Sequence, residues 1–368
     1  MGASREIDEA ALVCRRTSGN VYVQGDGKLI ETVQEAFEEF ERETARVPDA
    51  QNSRAKEVHP QITDAIKADL GDLFERAFLA GSYKRKVQAV RLKDVDIIIV
   101  LNDPEGRFRQ SANETLERVR KAAKTSDLVR GTRKSVRAVK LDIDGEEFTV
   151  DLVPALADPL GELLLCRNKP DEGYDDWTSA RPQGQLDAAI DKNQATDGCF
   201  IPSVRITKVW NQSFGEGNKK AMPSYLAESI LFHALTNSCD YDDAVVAFFR
   251  AAKGHLEQSW PSVSCPGDPG NFVDQMLQED RRERALSKVE TALEQAEKAI
   301  AAEEPGEAMD HWAEVFGPSF PAPANDSANL AAALKRGEAI GKGVSIGVPT
   351  GRNGGERPLI HGRSHRSA

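Results

Sequence analysis

Three aspartates stand at positions where an otherwise apolar stretch has little use for charge. Asp94 and Asp96 open the run DVDIIIVL, and Asp151 interrupts the run FTVDLVPA. Side chains alternate along a strand, so Asp94 and Asp96 project to the same side. Ile98 and Val100 continue that face, while Val95, Ile97, Ile99 and Leu101 cover the other. In the second run Phe148, Val150 and Leu152 share one face and Asp151 takes the opposite one. A lone aspartate inside an apolar strand is costly without a partner. Two adjacent carboxylates raise each other's pKa until a cation relieves them. Oxygen-only ligands favour Mg²⁺ or Mn²⁺ over zinc. If the two strands pair side by side, the three carboxylates meet and can hold two such ions, which suits in-line displacement at phosphorus.

A second feature lies upstream. Gly81-Ser82 follows a strand-like run and precedes Asp94 by eleven residues. If Ser82 begins a helix, its hydroxyl and the nearby N–H groups face an anion, and glycine permits close backbone approach. Among Lys84, Arg85 and Lys86, at least two are expected on a solvated helix face, and the rest add positive potential. Each feature alone is commonplace, since an Asp-x-Asp is usually a solvated strand end and a buried Asp is usually satisfied by an N–H or an Arg. The joint order is far more specific: Gly-Ser after a strand, Asp-x-Asp opening an apolar strand, then an Asp inside a later one.

Periodicity supplies the elements that must position these residues. Helical spacing predicts helices over 28–47 and 55–70. Strands are expected over 74–80 and 94–101, a short basic helix after Gly81-Ser82, and a helix over 113–123. Two strands, 135–143 and 147–154, read as a hairpin turning at Asp144-Gly145. Beyond residue 199 the pattern is helical, with candidates at 204–214, 225–236, 241–258, 272–302 and 305–312. FGPSFPAP then reads as an aromatic staple. The expected organisation is a mixed core over 1–198, a helical domain over 199–325, and a flexible Gly/Arg-rich tail over 326–368.

Composition narrows the class. The chain has 368 residues, 40% hydrophobic and 29% charged, with a formal net charge of -11. No apolar run approaches a membrane span, and residues 1–16 lack the apolar stretch of a secretory signal, so a cytoplasmic protein without a membrane partner is expected. Five scattered cysteines without a CxxC read as free thiols. His233, Cys239, His255 and Cys265 offer no close ligand pair for zinc. An acidic body repels long polynucleotides but not small nucleotides whose phosphates are neutralised by metal.

Together the stretches GSYKR, DVDIIIVL and FTVDLVPA resemble the active-site motifs of the DNA polymerase beta superfamily of nucleotidyltransferases. More narrowly the chain resembles the bacterial cyclic-oligonucleotide synthases, related to cyclic GMP-AMP synthase and oligoadenylate synthase. VRITKVWNQ, MPSYLAESILFHAL, DPGNFVDQ and HWAEVFGPSFP resemble their helical half, and the similarity spans about residues 28–323. The resemblance implies an α/β (α+β) fold with a mixed sheet in a polymerase-beta-like core and a C-terminal helical domain of the oligoadenylate-synthase type. It implies that Asp94, Asp96 and Asp151 bind two Mg²⁺ ions, with Mn²⁺ possible. Asp151 would also help deprotonate the attacking hydroxyl. Gly81 and Ser82 would hold the donor triphosphate, Lys208 would reach it from the helical domain, Ser224 would add a hydrogen bond, and Tyr225 could stack on a base.

The implied function is template-independent joining of ribonucleoside triphosphates into a cyclic di- or trinucleotide that activates a downstream effector in antiphage defence. No zinc module or basic DNA-binding surface is present, so a DNA or RNA activator is not expected. Two other readings stand beside this one: a nucleotidyltransferase that makes linear oligonucleotides or modifies RNA, and a non-catalytic nucleotide-binding scaffold. The tail ends at Ala368, where a ubiquitin-transfer-like conjugating enzyme could act; a plain disordered terminus is the alternative.

Overall fold

The computed structural model describes residues 22–23, 29–158, 162–169, 172–213, 220–258, 260–275 and 277–321, all within the unit Met1–Asn325. The tail and Ala368 lie outside the described residues. Among the described residues no helix is long and apolar enough to cross a membrane.

The chain opens with a small antiparallel pair, β1 (Tyr22–Val23) and β2 (Leu29–Ile30). Helix α1 (Val33–Phe40) starts at a capping box: the Glu35 N–H donates to Thr32 Oγ1 at 3.1 Å, and the Thr32 N–H donates to the Glu35 carboxylate at 3.2 Å. A π-helical turn, Glu41–Ala45, precedes the long α2 (Asp49–Leu70). Then follow β3 (Phe74–Ala80), α3 (Gly81–Lys84), β4 (Asp94–Leu101), α4 (Arg107–Gln110) and α5 (Ala112–Ala123). Strands β5 (Val129–Lys134), β6 (Val139–Ile143), β7 (Thr149–Ala157), β8 (Leu163–Lys169) and β9 (Tyr174–Ala180) complete the sheet. The rest is largely helical: α6 (Pro182–Ala195), α7 (Phe200–Gln212), α8 (Ser224–Ala234), α9 (Tyr241–Leu256), the hairpin β10 (Ser264–Cys265) and β11 (Asp268–Phe272), α10 (Glu279–Ala301) and α11 (Pro305–Phe316).

The main sheet runs β3-β4-β7-β6-β5, with β8 on β7 and β9 on β8. Only β4 and β7 are parallel, so the sheet is mixed, as the α/β (α+β) expectation requires. One sheet face, with Val95, Ile97, Ile99, Val150 and Leu152, packs on α2 and α5 in a core that includes Ile62, Ile66, Leu116 and Val119. Full burial of each such side chain contributes about 1.5–3 kcal/mol. The opposite face keeps a small cluster of Ala80, Ile98, Val100, Ala155 and Leu163. The helical half has its own core around Trp210, Phe248, Phe249 and Trp312. Although α1 comes early in the sequence, it packs there too: the Phe37 ring lies 5.0 Å from Trp312 and 4.9 Å from Phe320, edge to face. Phe316 and Phe320 thus do act as a staple.

Several elements were not evident from periodicity. Strands β8 (LLLCRNK) and β9 (YDDWTSA) carry charges instead of a clean alternation, because they sit at the margin of the sheet. The helix expected from 272 begins at Glu279, because Asp268–Phe272 pairs with β10. The strand expected over 135–143 starts at Val139, after β5 and a tight turn.

Candidate active site

The register between β4 and β7 decides the site. Asp96 pairs directly with Asp151, and Asp94 with Thr149. On the other side of β4, Ala80 at the end of β3 pairs with Asp96, so the chain leaves the sheet beside that carboxylate and turns at Gly81 into α3. Five residues expected at the site, Gly81, Ser82, Asp94, Asp96 and Asp151, therefore lie on one edge of three adjacent strands.

Gly81 has φ +64°, and a Cβ there would lie 1.8 Å from Asp96 Oδ2. The Asp96 carboxylate occupies the space that any other side chain at position 81 would fill, so glycine is required by both backbone and contact. Burial, and then the like charges of Asp94 and Asp151, push the Asp96 pKa up to about 6. Burial also raises Asp151, against the pull of Lys140, whose Nζ lies 3.2 Å from Asp151 Oδ2 across the β6–β7 ladder. Gln88 Nε2 donates to the Asp94 carbonyl at 2.5 Å.

Among the described residues no three His, Cys, Asp or Glu side chains are already gathered as ligands around one point. Lys140 gives a local reason, since it engages Asp151 from the neighbouring strand. The residues nonetheless suit a hard divalent cation. The donors are all carboxylate oxygens on in-register strands, the missing Cβ at Gly81 leaves room for Asp96, and the raised Asp96 pKa is the strain that a bound cation relieves. A cavity of about 410 Å³ lies at the opposite edge of the same strands, lined by Asn102, Asp103, Arg109 and Asp158, away from the carboxylates.

Lys208 and Tyr225 have other partners than those expected. Lys208 on α7 is neither a surface lysine nor free to reach outward: it is buried, and its Nζ donates to the Val87 carbonyl and to Glu228 Oε2, both at 2.9 Å. Glu228 on α8 also accepts from Arg85 Nε at 2.7 Å. Burial favours the neutral form of Glu228, but Lys208 and Arg85 outweigh it and hold the carboxyl below its usual range. Burial lowers Lys208, opposed by Glu228. The Arg85 guanidinium lies 5.0 Å from the centroid of the Tyr225 ring, and the Tyr225 hydroxyl is 3.3 Å from Cys265 Sγ. The tyrosine thus supports a buried cation with its ring, an arrangement worth about 1–2 kcal/mol when desolvated. Only Ser224, at the start of α8, keeps a hydroxyl toward the half-exposed surface, where it accepts from Lys220 Nζ at 2.7 Å.

Sequence reasoning missed Glu228, which joins the turn after Gly81 to both helices. A glutamate inside the apolar run YLAESILF was the available signal. It also missed Lys140, whose partner Asp151 lies on the neighbouring strand.

The mixed sheet places carboxylates from two parallel strands beside a Gly-Ser turn. Residues 32–193 match the family described as Second Messenger Oligonucleotide or Dinucleotide Synthetase domain. The chain is similar to a Cyclic AMP-AMP-AMP synthase from Acinetobacter sp., 25% identical over 349 residues that cover 88% of this chain and 96% of the relative. Its fold is shared with E. coli MS115-1 CdnC, solved with ATP, at TM-score 0.62 and 19% identity over 78% of this chain and 98% of that one. It is shared also with the Vibrio cholerae DncV cyclic AMP-GMP synthase, at TM-score 0.58 and 12% identity over 75% and 92%.

Proposed function

We propose that the chain joins ribonucleoside triphosphates, without a template, into a cyclic di- or trinucleotide that signals to an effector in antiphage defence. The observation that carries this reading is the direct register of Asp96 with Asp151 beside the Gly81 turn. In the reaction, a ribose hydroxyl of one nucleotide attacks the α-phosphorus of another and pyrophosphate leaves; a second attack closes the ring. Two Mg²⁺ or Mn²⁺ ions held by Asp94, Asp96 and Asp151 would activate that hydroxyl and neutralise the leaving group. Asp151, made more basic by burial, is suited to take the proton of the attacking hydroxyl. The Gly81–Ser82 turn receives the donor phosphates through its N–H groups and the Ser82 hydroxyl. Ser224 contributes a hydrogen bond from the helical side.

The product for which the Acinetobacter relative is named makes adenosine the first base to test and a three-nucleotide ring the first product to look for. Residues 1–198, 199–325 and 326–368 would serve as core, cleft-closing domain and tail. The acidic composition supports a small-nucleotide substrate over activation by DNA or RNA.

The experiment is incubation of the full chain with the four ribonucleoside triphosphates and Mg²⁺ or Mn²⁺, followed by phosphatase treatment and mass spectrometry. Phosphatase-resistant cyclic products are expected. Linear products or labelled RNA would move the chain to the alternative transferase reading. Absence of pyrophosphate release with every nucleotide and metal would leave a binding scaffold.

A further inference from the structure

Two thiols face each other in the helical half. Cys199 Sγ and Cys239 Sγ lie 3.6 Å apart, and both cysteines are free. Cys199 is buried at the start of α7, and Cys239 is half-buried in the connection between α8 and α9. Among the described residues the other two thiols, Cys166 and Cys265, are buried and turn to oxygen. Cys166 Sγ lies 3.8 Å from the Ala112 carbonyl, and Cys265 Sγ lies 3.3 Å from the Tyr225 hydroxyl.

The backbone keeps the facing pair together. The Cys199 N–H donates to the Thr196 carbonyl at 2.9 Å, and the Phe200 N–H donates to Thr196 Oγ1 at 3.2 Å, which fixes the turn into α7. The connection that carries Cys239 is tied at both ends. Lys192 Nζ donates to the Leu235 carbonyl at 2.6 Å, and the Tyr241 N–H donates to Gln34 Oε1 at 3.0 Å. Between those ties, residues 235–240 form neither helix nor strand. An S–S bond is about 2.05 Å long, so the sulfurs must approach by roughly 1.5 Å. A short irregular segment can supply that movement while the turn into α7 stays in place.

We propose that Cys199 and Cys239 form a thiol–disulfide site, closed by exchange with a small-molecule disulfide and reopened by a thiol. Cys239 is the thiol that a small molecule reaches, and Cys199 stands behind it. The Cys239 thiolate attacks one sulfur of the small disulfide, which gives a mixed disulfide and releases one small thiolate. The Cys199 thiolate then attacks the Cys239 sulfur, the protein S–S bond forms, and the second small thiolate leaves. The two protons lost by the cysteines end on the two released thiols. The cysteine pair gives up two electrons and the small disulfide takes them. Burial, then Cys199, Asp243 and Asp240, push the Cys239 thiol up, so closure is slow near neutral pH and quickens as pH rises. The new bond joins positions 40 apart and encloses α7 and α8 in one ring. Nothing in this chemistry depends on the nucleotide site.

The test exposes the full chain to glutathione disulfide at about pH 8.5, the ordinary thiol pKa. The readouts are peptide mapping, after the remaining thiols are blocked, and urea unfolding. Wild type should yield a peptide pair linked through Cys199 and Cys239, lighter by two hydrogens, and an added thiol should reopen it. Cys199→Ser should stop at the mixed disulfide, with one glutathione on Cys239. The closed form should unfold at a higher urea concentration than the reduced form, because the ring restricts the unfolded chain; Cys239→Ser should show no such shift. The linked peptide is read from wild type alone, so a poorly folded variant does not decide the matter. Wild-type protein that keeps both thiols, that stops with glutathione on Cys239, or that joins either cysteine to Cys14, Cys166 or Cys265 overturns the proposal.

Discussion

Replacing Asp96 by Asn should abolish nucleotide incorporation and yet make the metal-free protein more stable at neutral and alkaline pH. Asp96 is pushed from 3.8 to about 6 by burial and by Asp94 and Asp151. A group whose folded pKa lies above its unfolded value contributes full stability below the unfolded pKa and loses it as pH rises through the folded one. The shift is about 2.2 units, and at about 1.36 kcal/mol per unit the wild type forfeits roughly 3 kcal/mol across that window. About 2 kcal/mol of this falls between pH 4.5 and pH 8, because part is already lost at pH 4.5. Asparagine has nearly the same shape and does not titrate, so it escapes the loss. Titrating groups distant from Asp96 are common to both proteins and cancel in the difference. The assay is urea unfolding of wild type and Asp96→Asn in chelator at pH 4.5, 6 and 8. The stability of the variant relative to wild type should climb by about 2 kcal/mol from the first pH to the last. A difference that stays flat with pH would mean that Asp96 is not a charge held against its surroundings, and the case for a cation site would lose its electrostatic basis.

Gly81→Ala should cost about 1–2 kcal/mol for the left-handed backbone and displace the Asp96 carboxylate, since the new methyl would sit 1.8 Å from Oδ2; loss of turnover well beyond the loss of stability is expected, and an active variant would show that the turn does not set Asp96. Glu228→Gln leaves Arg85 and Lys208 buried without their shared carboxylate, so urea unfolding should show a loss of about 3–5 kcal/mol; wild-type stability would show that the carboxylate does not hold the two cations. Lys140→Met withdraws the cation that restrains Asp151. The Asp151 pKa should then rise further, and the acid limb of the pH–activity profile should move to higher pH; an unmoved limb would show that Asp151 does not titrate in the rate-determining step.

Much of the candidate site was legible along the chain. Asp94, Asp96 and Asp151 stood out because charge inside an apolar strand is expensive and period-two alternation tells which side it faces. Strand β4 matched its expected limits, 94–101, because a branched apolar run flanked by polar residues has few other ways to be buried. That Asp96 and Asp151 are neighbours could not be read along the chain, since pairing between strands more than fifty positions apart depends on the whole sheet. The same limit applies to single ions. Lys208 in a helical sequence looks like a surface residue or a ligand, and only packing brings Glu228 and the Val87 carbonyl to it.

The sequence by itself determined which residues are able to do the chemistry, because side-chain type and local period are properties of short stretches. The tertiary structure alone decided which of them meet. Register placed two carboxylates side by side, and packing enclosed Lys208 beside Glu228. Desolvation and pairing depend on everything that surrounds a group, and that surrounding is assembled from segments distant in the chain.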